Sequence, residues 1–93
     1  MFVNRRTFHP KRGKTDEVLA FCKKAAKGMP HAARVYESDL GTFDIVAVEA
    51  EFESLAEYER VWKALAEATT PAEWEQWLSL TENGGTNEIW QLR

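Results

Sequence analysis

The chain holds one cysteine, two histidines and three prolines among its 93 residues. A lone Cys22 excludes an internal disulfide and a cysteine-based zinc site, and it fits a reducing compartment. Val18, Ala25, Ala26 and Met29 share its helical face, so Cys22 is expected to act as a small buried hydrophobe rather than a nucleophile. His9 and His31 each adjoin a proline in a loop, with no metal-ligand spacing. No metal or other cofactor is therefore expected. Nor does any run approach the roughly 18 apolar residues of a membrane span, and the Met-Phe-Val-Asn-Arg opening lacks the form of a signal peptide. The expectation is a cytoplasmic protein without a membrane span. A strong net charge is missing too: the formal balance is −3. The aromatics are not interleaved with Lys and Arg, which argues against nucleic acid as a partner.

What the chain does have is 44% hydrophobic and 29% charged residues, the make-up of one globular domain spanning residues 1–93. A domain of this size buries only roughly 60 to 65% of its unfolded surface, so self-association is a natural supplement to its stability. Charge is distributed unevenly. Residues 1–27 carry eight Lys or Arg against Asp16 and Glu17, whereas the remainder carries four basic and thirteen acidic residues. Such a dipole can steer an anionic ligand or align two copies antiparallel.

The best strand is Phe43 to Phe52, FDIVAVEAEF. Val46, Val48, Ala50 and Phe52 point to one side of it, and Phe43, Ile45 and Ala47 to the other, so both faces need cover. Ala32 to Ser38 pairs with it across Asp39-Leu40-Gly41-Thr42, with Tyr36 expected opposite Ile45 and Val35 opposite Val46. Phe2 to Phe8 is a further strand, in which Phe2, Asn4, Arg6 and Phe8 share one side. His9 to Gly13 reads as a loop and Lys14 to Lys27 as a helix that stops at Gly28. Ser54-Leu55-Ala56-Glu57 and Thr70-Pro71-Ala72-Glu73 are capping boxes that open two more helices. Asn83-Gly84-Gly85 reads as a turn before a last strand, Thr86 to Leu92.

The order strand, helix, strand, strand, helix with a helical extension, strand predicts an α+β ferredoxin-like sandwich: a four-stranded antiparallel sheet with its helices on one face. No element remains for the other face. If Tyr36, Phe43, Ile45 and Ala47 lie there, the simplest cover is a second copy, giving a homodimer.

Three constellations stand out as candidate sites. Gly13-Lys14-Thr15 resembles the end of a phosphate-binding loop, but Phe8 stands where the pattern needs glycine. Arg34, Tyr36, Glu49 and Glu51 can cluster on the open face, either as an ion pair at a dimer seam or as a ligand site with a carboxylate base. Trp62, Trp74 and Trp77 have helical spacing on core-facing stripes. They serve packing, or they form the wall of a cleft between helices and sheet where a flat apolar ligand lies.

The element order, the uncovered face and the length resemble the dimeric α/β-barrel superfamily. More narrowly, the Arg6-Thr7-Phe8 strand, the Pro10 to Gly13 loop, the run from Arg34-Val35-Tyr36 through Asp44 and Glu49 to Tyr58 and Trp62, and the terminal Asn87-Glu88-Ile89-Trp90 resemble small bacterial NIPSNAP-type proteins. That resemblance implies a homodimer of undefined biochemical role, binding a small ligand or serving a structural purpose. Haem-degrading members of the superfamily use an asparagine on the first strand, a tryptophan on the second helix and a following histidine. Asn4 and Trp62 stand in similar places, yet no histidine follows His31. Cofactor-independent monooxygenases of the same fold imply a second possibility: an enzyme, oxygenase or isomerase, acting on a small aromatic or polyketide-like substrate. The candidate site residues are thus Asn4, Arg34, Tyr36, Glu49 and Trp62.

Overall fold

The structure, a computed structural model, describes residues 1–93. Seven elements follow one another: β1 (Phe2–Pro10), α1 (Thr15–Lys27), β2 (Ala33–Glu37), β3 (Val46–Phe52), α2 (Leu55–Ala68), α3 (Pro71–Leu80) and β4 (Thr81–Gln91). The strands form one antiparallel sheet in the order β2-β3-β1-β4, so the two central strands are β1 and β3. This is the expected ferredoxin-like α+β arrangement.

Register assigns the faces. Phe2, Asn4, Arg6 and Phe8 stand opposite Phe52, Ala50, Val48 and Val46, and these eight residues share the face that the helices cover. The core is built there from Val18 and Cys22 of α1, Val46 and Val48 of β3 and Leu80 at the end of α3. Trp77 closes it, edge-on to Phe8 with ring centroids 4.9 Å apart and to Phe21 at 5.7 Å. Both expected helix starts form, but only the second as a full capping box, because at α2 the Glu57 carboxylate accepts the Glu53 N–H instead of that of Ser54. The Ser54 hydroxyl accepts the Glu57 N–H, and at α3 Thr70 and Glu73 bond each other's backbone reciprocally.

Three sequence expectations need correction. The β3 strand begins at Val46 rather than Phe43, because Asp44 adopts a left-handed φ of 55° that breaks the extended run. Phe43 therefore leaves the sheet; it is 76% exposed, beside the Arg12 guanidinium. The β2–β3 register moves with it: Tyr36 faces Ala47 and Val35 faces Val48, two residues along from expectation. An even shift keeps every side chain on its predicted face. Finally, Asn83-Gly84-Gly85 is not a turn but lies within β4, at a register shift opposite Thr7 to His9. Gly84 and Gly85 both take positive φ there, and β1 correspondingly runs through His9 to Pro10.

The open face is more polar than an aliphatic dimer seam. It presents Val3, Arg5 and Thr7 of β1, Arg34 and Tyr36 of β2, Ala47, Glu49 and Glu51 of β3, and Thr86, Glu88 and Trp90 of β4. No helix covers it.

Candidate functional site

The five candidate residues divide between the two faces. Arg34, Tyr36 and Glu49 lie together on the open face. Glu49 accepts from Arg5 Nη1 at 2.6 Å and from the Tyr36 hydroxyl at 3.1 Å. Arg34 stands opposite Glu49 in register, but its guanidinium goes to Glu51 at 3.6 Å. Arg34 makes no ion pair with Glu49, because Arg5, directly across on β1, holds that carboxylate instead.

Asn4 and Trp62 belong to the helix face. Asn4, 1% exposed, donates through Nδ2 to Asn87 Oδ1 at 2.7 Å and to the Glu88 carbonyl at 2.9 Å, and its Oδ1 accepts from Arg6 Nε at 3.2 Å. It is fully used as a bracket that fixes Arg6. The Arg6 Nη2 donates to the Tyr58 hydroxyl at 3.1 Å, and the same oxygen accepts from Asn87 Nδ2 at 3.3 Å. Burial, which pushes the Tyr58 phenol up, is outweighed by these two hydrogen bonds and the Arg6 charge, so its pKa lies below the ordinary value. Above this network the Trp62 ring lies 3.8 Å from the guanidinium carbon. The Trp62 Nε1 is buried without an acceptor.

Of these residues, Arg6 and Trp62 line a cleft of about 570 Å³ between the sheet and the three helices. Arg6, Phe8 and Val48 form the sheet side; Phe21, Cys22 and Ala25 come from α1, Trp62, Leu65 and Ala66 from α2, and Trp74 and Trp77 from α3. The cleft exists because α2 has no fully buried residue. Its apolar stripe faces the gap rather than closing onto the core. Trp77 is shared with the core, whereas Trp62 and Trp74 wall the opening. Lys24 and Glu73 join α1 to α3 at 3.1 Å and also line the cleft. Glu73 is held down to about 2, first by the Thr70 N–H and then by Lys24. Burial pushes the Cys22 thiol up to about 12, which leaves it a poor nucleophile as expected.

This architecture has solved counterparts. A NIPSNAP family protein from Agrobacterium tumefaciens aligns with a TM-score of 0.75 at 20% identity, over 97% of this chain and 90% of that one. The fold is that of NIPSNAP proteins. A NIPSNAP family protein of unknown function from the same organism gives 0.73 at 19% identity, over 97% and 86% of the two chains. An uncharacterized NIPSNAP domain protein from Burkholderia xenovorans gives 0.69 at 18%, over 100% and 95%. No family model matches the sequence, and neither does any curated protein.

On this NIPSNAP fold, the residues that sequence reasoning did not single out are Arg6, Tyr58 and Asn87. Arg6 carried a signal: it is a lone cation alternating with Phe2, Asn4 and Phe8 on the side bound for the helices. Tyr58 and Asn87 carried none beyond the resemblance, since their meeting is a contact across 29 positions of chain. His31 is a further difference from the sequence reading. Its buried Nε2 lies 3.0 Å from Glu57 and 3.9 Å from Glu53 without hydrogen-bonding geometry to either, so the loop histidine pairs with the start of α2 only when it is protonated. All three offer ligand atoms within 4.8 Å of one another.

Proposed function

We propose that this is a NIPSNAP-like protein that binds a small, flat, largely apolar ligand in the cleft between sheet and helices. The carrying observation is the cleft itself: about 570 Å³ walled by Trp62, Trp74 and Trp77, within the range of small-molecule sites. Residues 1–93 act as one domain, and two copies pair through the open sheet face, with the Arg5–Glu49–Tyr36 network at the seam. The uncovered face and the small core of a 93-residue chain support that pairing. A cytoplasmic location fits the free, buried Cys22. No helix is long and apolar enough to cross a membrane.

Binding is favoured over the monooxygenase or isomerase alternative by where the residues fall. Asn4 and Trp62 stand on one face and Tyr36 and Glu49 on the other, so they cannot serve one substrate within a protomer. Glu73 is the one carboxylate lining the cleft, and a pKa near 2 makes it a weak proton acceptor. Native mass spectrometry of freshly purified protein tests this reading. A dimer with a retained small mass is expected. A protein that is monomeric at micromolar concentration removes the pairing, and one whose tryptophan fluorescence ignores every aromatic compound offered removes the cleft site.

A further inference from the structure

We infer that the cleft selects a monocarboxylate carried on an aromatic or similarly flat apolar body, and that Arg6 reads the carboxylate. The inference rests on the cleft being the ligand site, and it adds the chemistry of the ligand.

The Arg6 side chain rises from central strand β1 between Val48 and Asn87 and lines the cleft. Its partners are all neutral: the Asn4 amide oxygen, the Tyr58 hydroxyl and the Trp62 ring. No carboxylate lies within 4.0 Å of it. A half-buried cation without a counter-ion is costly to keep, and such groups are normally paired. Nε and Nη2 are committed to the Asn4 and Tyr58 oxygens, and Nη1 donates to no protein atom. The neutral partners therefore fix the guanidinium while leaving both Nη1 N–H groups for an incoming acceptor, which is how a positioned arginine selects a carboxylate.

The rest of the cleft sets the class. Lys24 is neutralised by Glu73, while Lys63, at the exposed edge, makes no ion pair. The lining thus keeps a small positive excess, suited to one negative charge. A phosphate would need further donors, yet the helix N-terminus that reaches the cleft, that of α3, is filled by its Thr70–Glu73 capping box and carries the Glu73 charge. Apart from Lys24, Lys63, Thr69 and Glu73, the lining beyond Arg6 is apolar and rich in aromatic rings, suited to a flat apolar body.

The test compares 2-naphthoate with its neutral counterpart 2-naphthamide at pH 7, by tryptophan quenching and calorimetry on the wild-type protein. Naphthoate is expected to bind about tenfold or more tighter, the difference a charge-assisted hydrogen bond makes. In Arg6→Gln the two should bind alike, whatever their common affinity; Lys63→Gln should keep the preference. Equal affinities in the wild-type protein overturn the carboxylate inference and leave the cleft reading standing. A preference that survives in folded Arg6→Gln also overturns it. Neither probe binding overturns the cleft reading itself. Should Arg6→Gln not fold, the wild-type ratio alone decides.

Discussion

The Arg6 guanidinium carbon sits 3.8 Å from the centroid of the Trp62 ring, and this contact ties the middle of α2 to the central strand β1. α2 contributes no fully buried side chain, so it is held by this contact together with Tyr58, which bonds Arg6 and Asn87 and packs on Phe52. A partly desolvated cation–π pair is worth about 1 to 2 kcal/mol. Trp62→Leu keeps an apolar side chain but removes the ring. It is expected to lower unfolding stability by at least about 1 kcal/mol and to weaken aromatic probe binding, while Trp62→Phe retains part of both. Urea denaturation followed by circular dichroism reads the first effect. Equal stability of the leucine variant would mean that α2 is held by something other than this pair.

Gly85 marks where β4 is forced against β1. Its φ is +94°, and a side-chain carbon built on it would stand 2.2 Å from the Thr7 carbonyl oxygen, a backbone atom that cannot yield. The Thr7 hydroxyl meanwhile accepts the Thr86 N–H at 3.0 Å and lies 2.7 Å from the Thr86 hydroxyl, fixing the bulge. Conformational strain alone costs about 1 to 3 kcal/mol at such a position, and the clash adds to it. Gly85→Ala should therefore be among the most damaging single-methyl changes in the chain, lowering the thermal midpoint well beyond Gly13→Ala. Gly13 also has positive φ, but nothing stands within 4 Å of its missing side chain. Comparing the two midpoints separates the clash from the backbone preference.

The same bulge shows what the sequence could and could not convey. Asn83-Gly84-Gly85 has the chemistry of a turn, and local chemistry cannot distinguish a turn from a bulge that a neighbouring strand holds in register. Element order, both helix starts and the face of every β2 and β3 side chain follow from short-range patterns and were legible, whereas helical spacing alone left Trp62 open between core packing and a cleft wall. The Arg5–Glu49 pair was not, since it depends on β1 lying beside β3 across 44 positions of chain. Nor was the left-handed Asp44 that makes β3 start late, because nothing in its neighbours distinguishes it from an extended aspartate. Arg6 fell between: its alternation with aromatic residues was visible, but its lack of a counter-ion is a three-dimensional fact.

Glu73 provides a pH prediction. Its carboxyl is lowered from 4.5 to about 2, chiefly by the Thr70 N–H, then by Lys24 and the Thr70 side chain. Glu57 is lowered too, by the Glu53 N–H against some opposing burial and with help from His31. A carboxylate with a depressed folded pKa stabilises the fold above its unfolded value, and that stabilisation is lost as pH falls through the folded one. Resistance to urea should therefore be level near neutrality and decline from about pH 4.5 towards pH 2. Glu73→Gln should be less stable than wild type at neutral pH, with the gap closing over that same acid range. A gap that does not narrow would mean that Glu73 acts through packing rather than charge.

On the open face, the Arg5–Glu49 pair distinguishes a surface network from a seam. Within one protomer these side chains are 41% and 21% exposed, and pairs of that kind contribute at most about 1 kcal/mol. If two sheets pack face to face, the pair becomes desolvated, and removing one partner leaves an unpaired buried charge costing roughly 3 to 5 kcal/mol. Glu49→Gln keeps the shape and the Tyr36 hydrogen-bonding partner but not the charge. Under the proposed pairing it should leave the unfolding of the isolated protomer within about 1 kcal/mol of wild type while weakening the dimer by two orders of magnitude or more. Sedimentation across a concentration series measures the second quantity, and chemical denaturation at the lowest concentration measures the first. Glu88 stands opposite Arg5 on β4 and can take the carboxylate's place, so the double variant Glu49→Gln/Glu88→Gln decides the case: a dimer that tolerates it would place the seam elsewhere.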